Sequence, residues 1–116
     1  MIRPVDLGIC HGYEYEGDPA RTAVLLPGSM LAAMPVHAFA QQGLTAAGWR
    51  VVQIWDEFLD RSQDASEWVR ERLAAAVRHA PEARQILVVG KSLSTRAAAD
   101  AAPETLRCRP KPTRSP

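Results

Sequence analysis

Three short apolar runs stand out along the chain: Thr22–Leu26 (TAVLL), Arg50–Trp55 (RVVQIW) and Gln85–Val89 (QILVV). They are rich in β-branched residues and nearly continuous rather than alternating. That is the pattern of strands covered on both faces of a parallel sheet. Between the first two runs, Val36, Phe39, Ala40 and Ala47 fall at helical spacing. Pro35 suits the first turn of such a helix and Gly48 its C-terminal end. Between the second and third runs, Val69, Leu73, Ala76, Val77 and Ala80 recur on one helical face. Asp64 followed by Glu67 resembles a capping box at the start of this helix, and Pro81 ends it. The Ala-rich segment from Ser92 to Ala102 predicts a third helix.

The resulting β-α-β-α-β-α series predicts a three-layer α/β domain, with a mainly parallel sheet and right-handed crossovers. Ahead of it, GYEYEGDPA alternates Tyr13/Glu14 and Tyr15/Glu16 before a Gly17-Asp18-Pro19 turn. This predicts an antiparallel strand folding back as a hairpin onto the Thr22 strand. Character changes sharply at the end. PETLRCRPKPTRSP is interrupted by Pro103, Pro110, Pro112 and Pro116. The expected organisation is therefore one domain over residues 1–102 and a disordered, Pro/Arg-rich tail over 103–116. So abrupt a change fits a replaced continuation of the fold, as a frameshift or truncation of the coding region would produce.

Charge refines this picture. The 116 residues carry a net charge of +1. The tail, however, sets Arg107, Arg109, Lys111 and Arg114 against Glu104 alone, which leaves the body net negative. A body of that sign, without a basic stripe interleaved with aromatics, argues against a nucleic-acid partner. Trp49, Trp55 and Trp68 are read as packing residues. No apolar run approaches a membrane span and no signal-peptide core is present, so the expectation is a cytoplasmic protein with no membrane partner. Cys10 and Cys108 form no C-x-x-C pair and read as free thiols. Neither a metal site nor a cofactor site is expected.

The chemistry is concentrated at Gly90-Lys91-Ser92, directly after the third run. A phosphate-binding loop needs a glycine five residues before Gly90, where Gln85 stands, so the nucleotide reading fails. A nucleophile on a strand-to-helix turn fits better. In Gly90-Lys91-Ser92-Leu93-Ser94 the G-x-S-x-G frame is kept except for Ser94 in place of the last glycine. Pro27-Gly28-Ser29-Met30 follows the first parallel strand, where backbone amides of Ser29 or Met30 and of Leu93 can meet at a developing alkoxide. The same Pro-Gly also reads as an ordinary turn.

Taken together, AVLLPGSM, a helix, GWRVVQIW, a helix and ILVVGKSLSTRAA resemble the N-terminal half of an α/β-hydrolase. They are most similar to small capless domains whose elbow reads G-K-S-x-G-x-R. The resemblance spans roughly residues 20–102. It implies a sheet in which the Thr22 strand lies between the other two, Ser92 as nucleophile, Leu93 and Ser29/Met30 as oxyanion donors, and Gly90 and Ser94 as elbow-turn residues. The implied substrate is a small-molecule ester or acyl compound. The acid and histidine of that family follow the nucleophile in chain order, yet no histidine follows Ser92 here and Asp100 is too far along the helix. Among the histidines, His79 falls at the opposite end of the sheet and His11 in the N-terminal strand. His37, just after the Pro-Gly loop, is the candidate base, although it reads equally as a solvated or capping side chain. Asp56 and Glu57 read as a solvated loop or helix start. The sequence therefore predicts a serine hydrolase of weak or absent turnover, with a non-catalytic interaction domain or gene fragment as the alternative. Loss of later strands leaves the outer edge of the last strand unpaired and predicts self-association there.

Overall fold

The computed structural model describes residues 1–26, 34–55 and 65–90, with side chains for all of these except 34–37 and 65. The elements in chain order are β1 (Ile2–Asp6), β2 (His11–Tyr15), β3 (Asp18–Leu26), α1 (Met34–Ala46), β4 (Trp49–Trp55), α2 (Ala65–His79) and β5 (Gln85–Gly90). They form a mixed α/β domain built on one five-stranded sheet of order β1-β2-β4-β3-β5. The β4-β3-β5 half is parallel, whereas β1-β2 and β2-β4 pair antiparallel. The described sheet is thus mixed, with two parallel and two antiparallel pairings.

The three apolar runs become β3, β4 and β5, and β3 lies in the middle of the parallel trio. Alternate residues of β3 and β4 serve opposite faces. Val24, Leu26, Val52 and Ile54 pack with Trp68, Val69, Leu73, Ala76 and Val77 of α2. Ala23, Leu25 and Val51 pack with Ala40 and Leu44 of α1. The handedness rule explains the split. The first crossover steps from β3 to β4, and the second steps back past β3 to β5. Crossovers of one hand therefore put their helices on opposite faces.

The helix boundaries follow local chemistry. Gly48, at φ +90°, ends α1, with Ala47 N–H donating to the Gly43 carbonyl and Gly48 N–H to that of Thr45. The Arg72 guanidinium lies over the Trp68 ring on α2, 4.4 Å from its centroid. The expected inner face of α2 is the buried one. That of α1 is shifted, because Phe39 is 79% exposed and the seam runs through Ala40 and Leu44.

The N-terminal hairpin also differs from expectation. It forms between β1 and β2, closed by Leu7 N–H to the Cys10 carbonyl at 2.9 Å and by Gly8 N–H to Asp6 Oδ1 at 2.8 Å. β2 does not pair with β3; β4 inserts between them. The two-residue link Glu16-Gly17 must then pass across the start of β4. An added Cβ at Gly17 would collide with the backbone of Trp49 and Arg50, so no larger residue fits. Cys10 is buried. No described helix is long and apolar enough to cross a membrane. The expected third helix, the tail over 103–116 and Cys108 lie outside the described residues.

Gly17→Ala should therefore destabilise the domain by about 1–3 kcal/mol, the usual cost of forcing atoms into filled space. Gly43→Ala, on an open position of α1, should stabilise it by about 0.5–1 kcal/mol. Urea unfolding of the two variants checks the contrast; equal stabilities would show that the link does not cross β4.

Candidate functional site

The parallel strands end along one edge of the sheet, and the register there decides what meets. Leu25 pairs with Val89 and Leu26 with Gly90, so β3 and β5 end side by side. The chain leaves the end of β3 for α1 on one face and the end of β4 for α2 on the other. Adjacent strand ends whose chains leave for opposite faces flank the usual ligand position in open α/β sheets, here between β3 and β4 and beside the end of β5. The segments carrying Ser29 and Met30, and Ser92, Leu93 and Ser94, follow the ends of β3 and β5 directly. They lie outside the described residues, as do Asp56, Glu57, Asp100 and the Asp64 cap. Gly90 is the last residue of β5. His37 has its backbone in the first turn of α1, and its side chain lies outside the description.

The other two histidines are placed fully. His11 opens β2 and pairs with Trp55, the last residue of β4. It therefore stands on the same sheet edge as Gly90, a position that sequence reasoning missed. Three strand spacings separate it from β5, roughly 14 Å, far beyond hydrogen-bond reach. His79 ends α2 near the opposite edge, as expected, and its Nε2 lies 2.8 Å from Glu14 Oε1.

A shallow groove of about 380 Å³ adjoins His11, lined by Pro4, Val5, Asp6, His11, Gly12, Tyr13 and Trp55. Tyr13 and Trp55 meet edge to face at 5.9 Å, and Trp55 is 42% exposed. Trp55 is thus a surface aromatic, contrary to its expected packing role. Trp68 is buried, and Trp49 lies half-buried beneath the Arg21 guanidinium. On the same face Tyr15 donates its hydroxyl to Gln53 Oε1 at 3.0 Å, and burial together with nearby Tyr13 pushes its phenol above the usual range.

Titratable groups gather at the other end, where the parallel strands begin. Arg3 Nε donates to Glu14 Oε2 at 2.9 Å, opposite His79 on the other carboxylate oxygen. Burial alone would raise the Glu14 carboxyl, but the bonds from His79 and Arg3 outweigh it and hold it below its ordinary value. Next to this trio, Arg50 is buried and donates Nε and Nη2 to Thr22 Oγ1 at 3.2 and 3.0 Å, and it pairs with Glu82. Burial raises Glu82 as well, yet its backbone hydrogen bond and Arg50 bring it below the usual range. A cleft of about 420 Å³ borders these groups, lined by Arg3, Glu14, Glu16 and Arg50 among others. The guanidiniums and carboxylates answer one another, so this end works as a polar clamp between strands and α2. No signal in the sequence pairs Glu14 with His79 across 65 positions. Among the described residues no cluster of His, Cys, Asp and Glu could hold a metal ion.

Comparison with known proteins found no matching family model, no matching curated protein and no matching solved structure.

The clamp carries a pH prediction. Lowered folded-state values mean that Glu14 and Glu82 contribute stability present above the ordinary carboxyl value of 4.5. That contribution is lost as pH falls through the folded-state values. Urea midpoints should fall more steeply on acidification in the wild type than in Glu14→Gln, and identical slopes would contradict the clamp.

Proposed function

We propose that the chain is a serine-hydrolase-like α/β domain in which Ser92 attacks the carbonyl of a small ester or acyl substrate. The observation that carries this reading is the pairing of Leu26 with Gly90 at neighbouring strand ends. It supports an oxyanion loop at Pro27-Gly28-Ser29-Met30 beside an elbow at Gly90-Lys91-Ser92-Leu93-Ser94. The order β4-β3-β5 supports the α/β-hydrolase resemblance in the same way, with β3 between its parallel partners. No comparison with known proteins adds to this support.

In this reading Ser92 Oγ adds to the carbonyl carbon, and the oxyanion takes amide hydrogen bonds from Leu93 and from Ser29 or Met30. Collapse of the tetrahedral adduct expels the alcohol and leaves an acyl-enzyme, which water then cleaves. The groove beside Trp55 opens on the same sheet edge and offers aromatic surface to the apolar part of a substrate. The weak step is deprotonation of the serine. His79 is engaged by Glu14, and His11 stands three strands away from β5. His37 is the candidate base. The same placement of His79 and His11 favours a second reading, a non-catalytic interaction domain on this scaffold.

A fluorophosphonate probe separates the two. Covalent labelling of the folded wild-type chain that disappears in Ser92→Ala supports the hydrolase reading, and a further drop in labelling rate in His37→Ala assigns the base. Folded protein that takes no label would establish the non-catalytic reading.

A further inference from the structure

The alternation of β2 sends its charged and aromatic residues to different faces of the sheet. Glu14 faces α2, where His79 and Arg3 hold it. His11 and Tyr13 face the other way, together with their neighbours Asp6 and Pro4 on β1 and Trp55 on β4. These residues line the groove of about 380 Å³. Both of its large rings are accessible, Tyr13 at 38% exposure and Trp55 at 42%. The rings stand at 84° to each other with centroids 5.9 Å apart, so they form two walls of a corner. Asp6 is the one carboxylate of the lining, which holds neither Lys nor Arg.

Asp6, His11 and Trp55 pair in a single row across three strands. Strand spacings of about 4.8 Å put Asp6 roughly 10 Å from Trp55, with His11 between them. A cation above His11 thus lies about 5 Å from both the indole and the carboxylate, within cation–π range of the ring.

The other two indoles show what such rings attract in this chain. The Arg21 guanidinium lies 4.6 Å from the Trp49 centroid, and that of Arg72 4.4 Å from the Trp68 centroid. Trp55 carries no cation from the described residues, and its ring neighbour is Tyr13. A guanidinium is flat and matches one ring face, whereas a corner offers two faces to a rounded cation. A primary ammonium has three donors to satisfy, yet one Asp6 oxygen already accepts the Gly8 N–H at 2.8 Å. A quaternary ammonium has no N–H, and its methyl groups suit ring faces. The net negative body of the chain draws cations toward the groove.

We propose that this groove binds a small quaternary-ammonium cation, held between the Tyr13 and Trp55 rings and balanced by Asp6. The inference rests on the groove alone and is independent of the chemistry proposed for Ser92.

Titration of the full chain with choline at constant ionic strength, followed by NMR, tests it. The Trp55 indole N–H and the amides of His11 and Gly12 should shift saturably, while the indoles of Trp49 and Trp68 stay in place. The uncharged isostere of choline, with a tert-butyl group in place of trimethylammonium, should bind about tenfold more weakly. Trp55→Ala and Tyr13→Leu, both at accessible positions, should keep the circular dichroism spectrum and each weaken choline binding about tenfold. Asp6→Asn should weaken it about threefold. Absence of a saturable shift at about 50 mM choline, equal binding of the isostere, or unchanged affinity in any of the three variants would overturn the proposal.

Discussion

Ala23, Val24, Leu25 and Leu26 have essentially no exposed surface, so successive side chains of β3 are covered on both faces of the sheet. A strand with that burial needs a neighbour on each side and a helix over each face. β4 and β5 supply the first, α1 and α2 the second. Once β3 is central, its end stands between the ends of β4 and β5, and the chain leaves β3 and β4 for opposite faces of the sheet. The crevice at the strand ends therefore arises from how the core is buried, before any functional side chain is considered.

The same constraint accounts for the polar chemistry at the opposite end. β2 runs toward the start of β4 and must hand the chain to β3 on its far side. Gly17 makes that passage by lacking a side chain, and the surrounding charges hold the strands together where it occurs. Glu14 joins β2 to α2 through His79, while Arg50 joins β4 to β3 through Thr22 and to the turn before β5 through Glu82. Glu14, Thr22 and Arg50 are buried and His79 half-buried, and their polar groups are satisfied within this set and by the exposed Glu82. The carboxylate-histidine pair at Glu14 and His79 has the chemistry of a catalytic dyad but occupies the clamp, well away from the strand ends.

Much of this was legible in the sequence, and the exceptions have physical causes. β3 and β4 announce themselves as apolar runs because both of their faces are buried, β5 because its faces are partly covered, and α2 because one of its faces is buried. β1 gives no such signal. IRPVD is an edge strand that is exposed along most of its length and contains a proline. The pairing of β2 was misread because consecutive strands usually pair, and only the tight Glu16-Gly17 link hints at a crossing. Phe39 and Trp55 look like core residues by type, yet their burial depends on where α1 sits and where the sheet ends. The candidate site is legible as a position, through the strand ends at Leu26 and Gly90. Ser29, Met30, Ser92, Leu93 and Ser94, proposed to act there, lie beyond those ends and outside the described residues.

Strand order is the claim on which the site and the clamp both rest, and backbone NMR reads it directly. The account predicts nuclear Overhauser contacts across Val24 and Val88, across Val24 and Val52, and across Tyr13 and Gln53. Hairpin contacts joining Tyr13–Tyr15 to Ala20–Thr22, or an absence of contacts between β3 and β5, would contradict it.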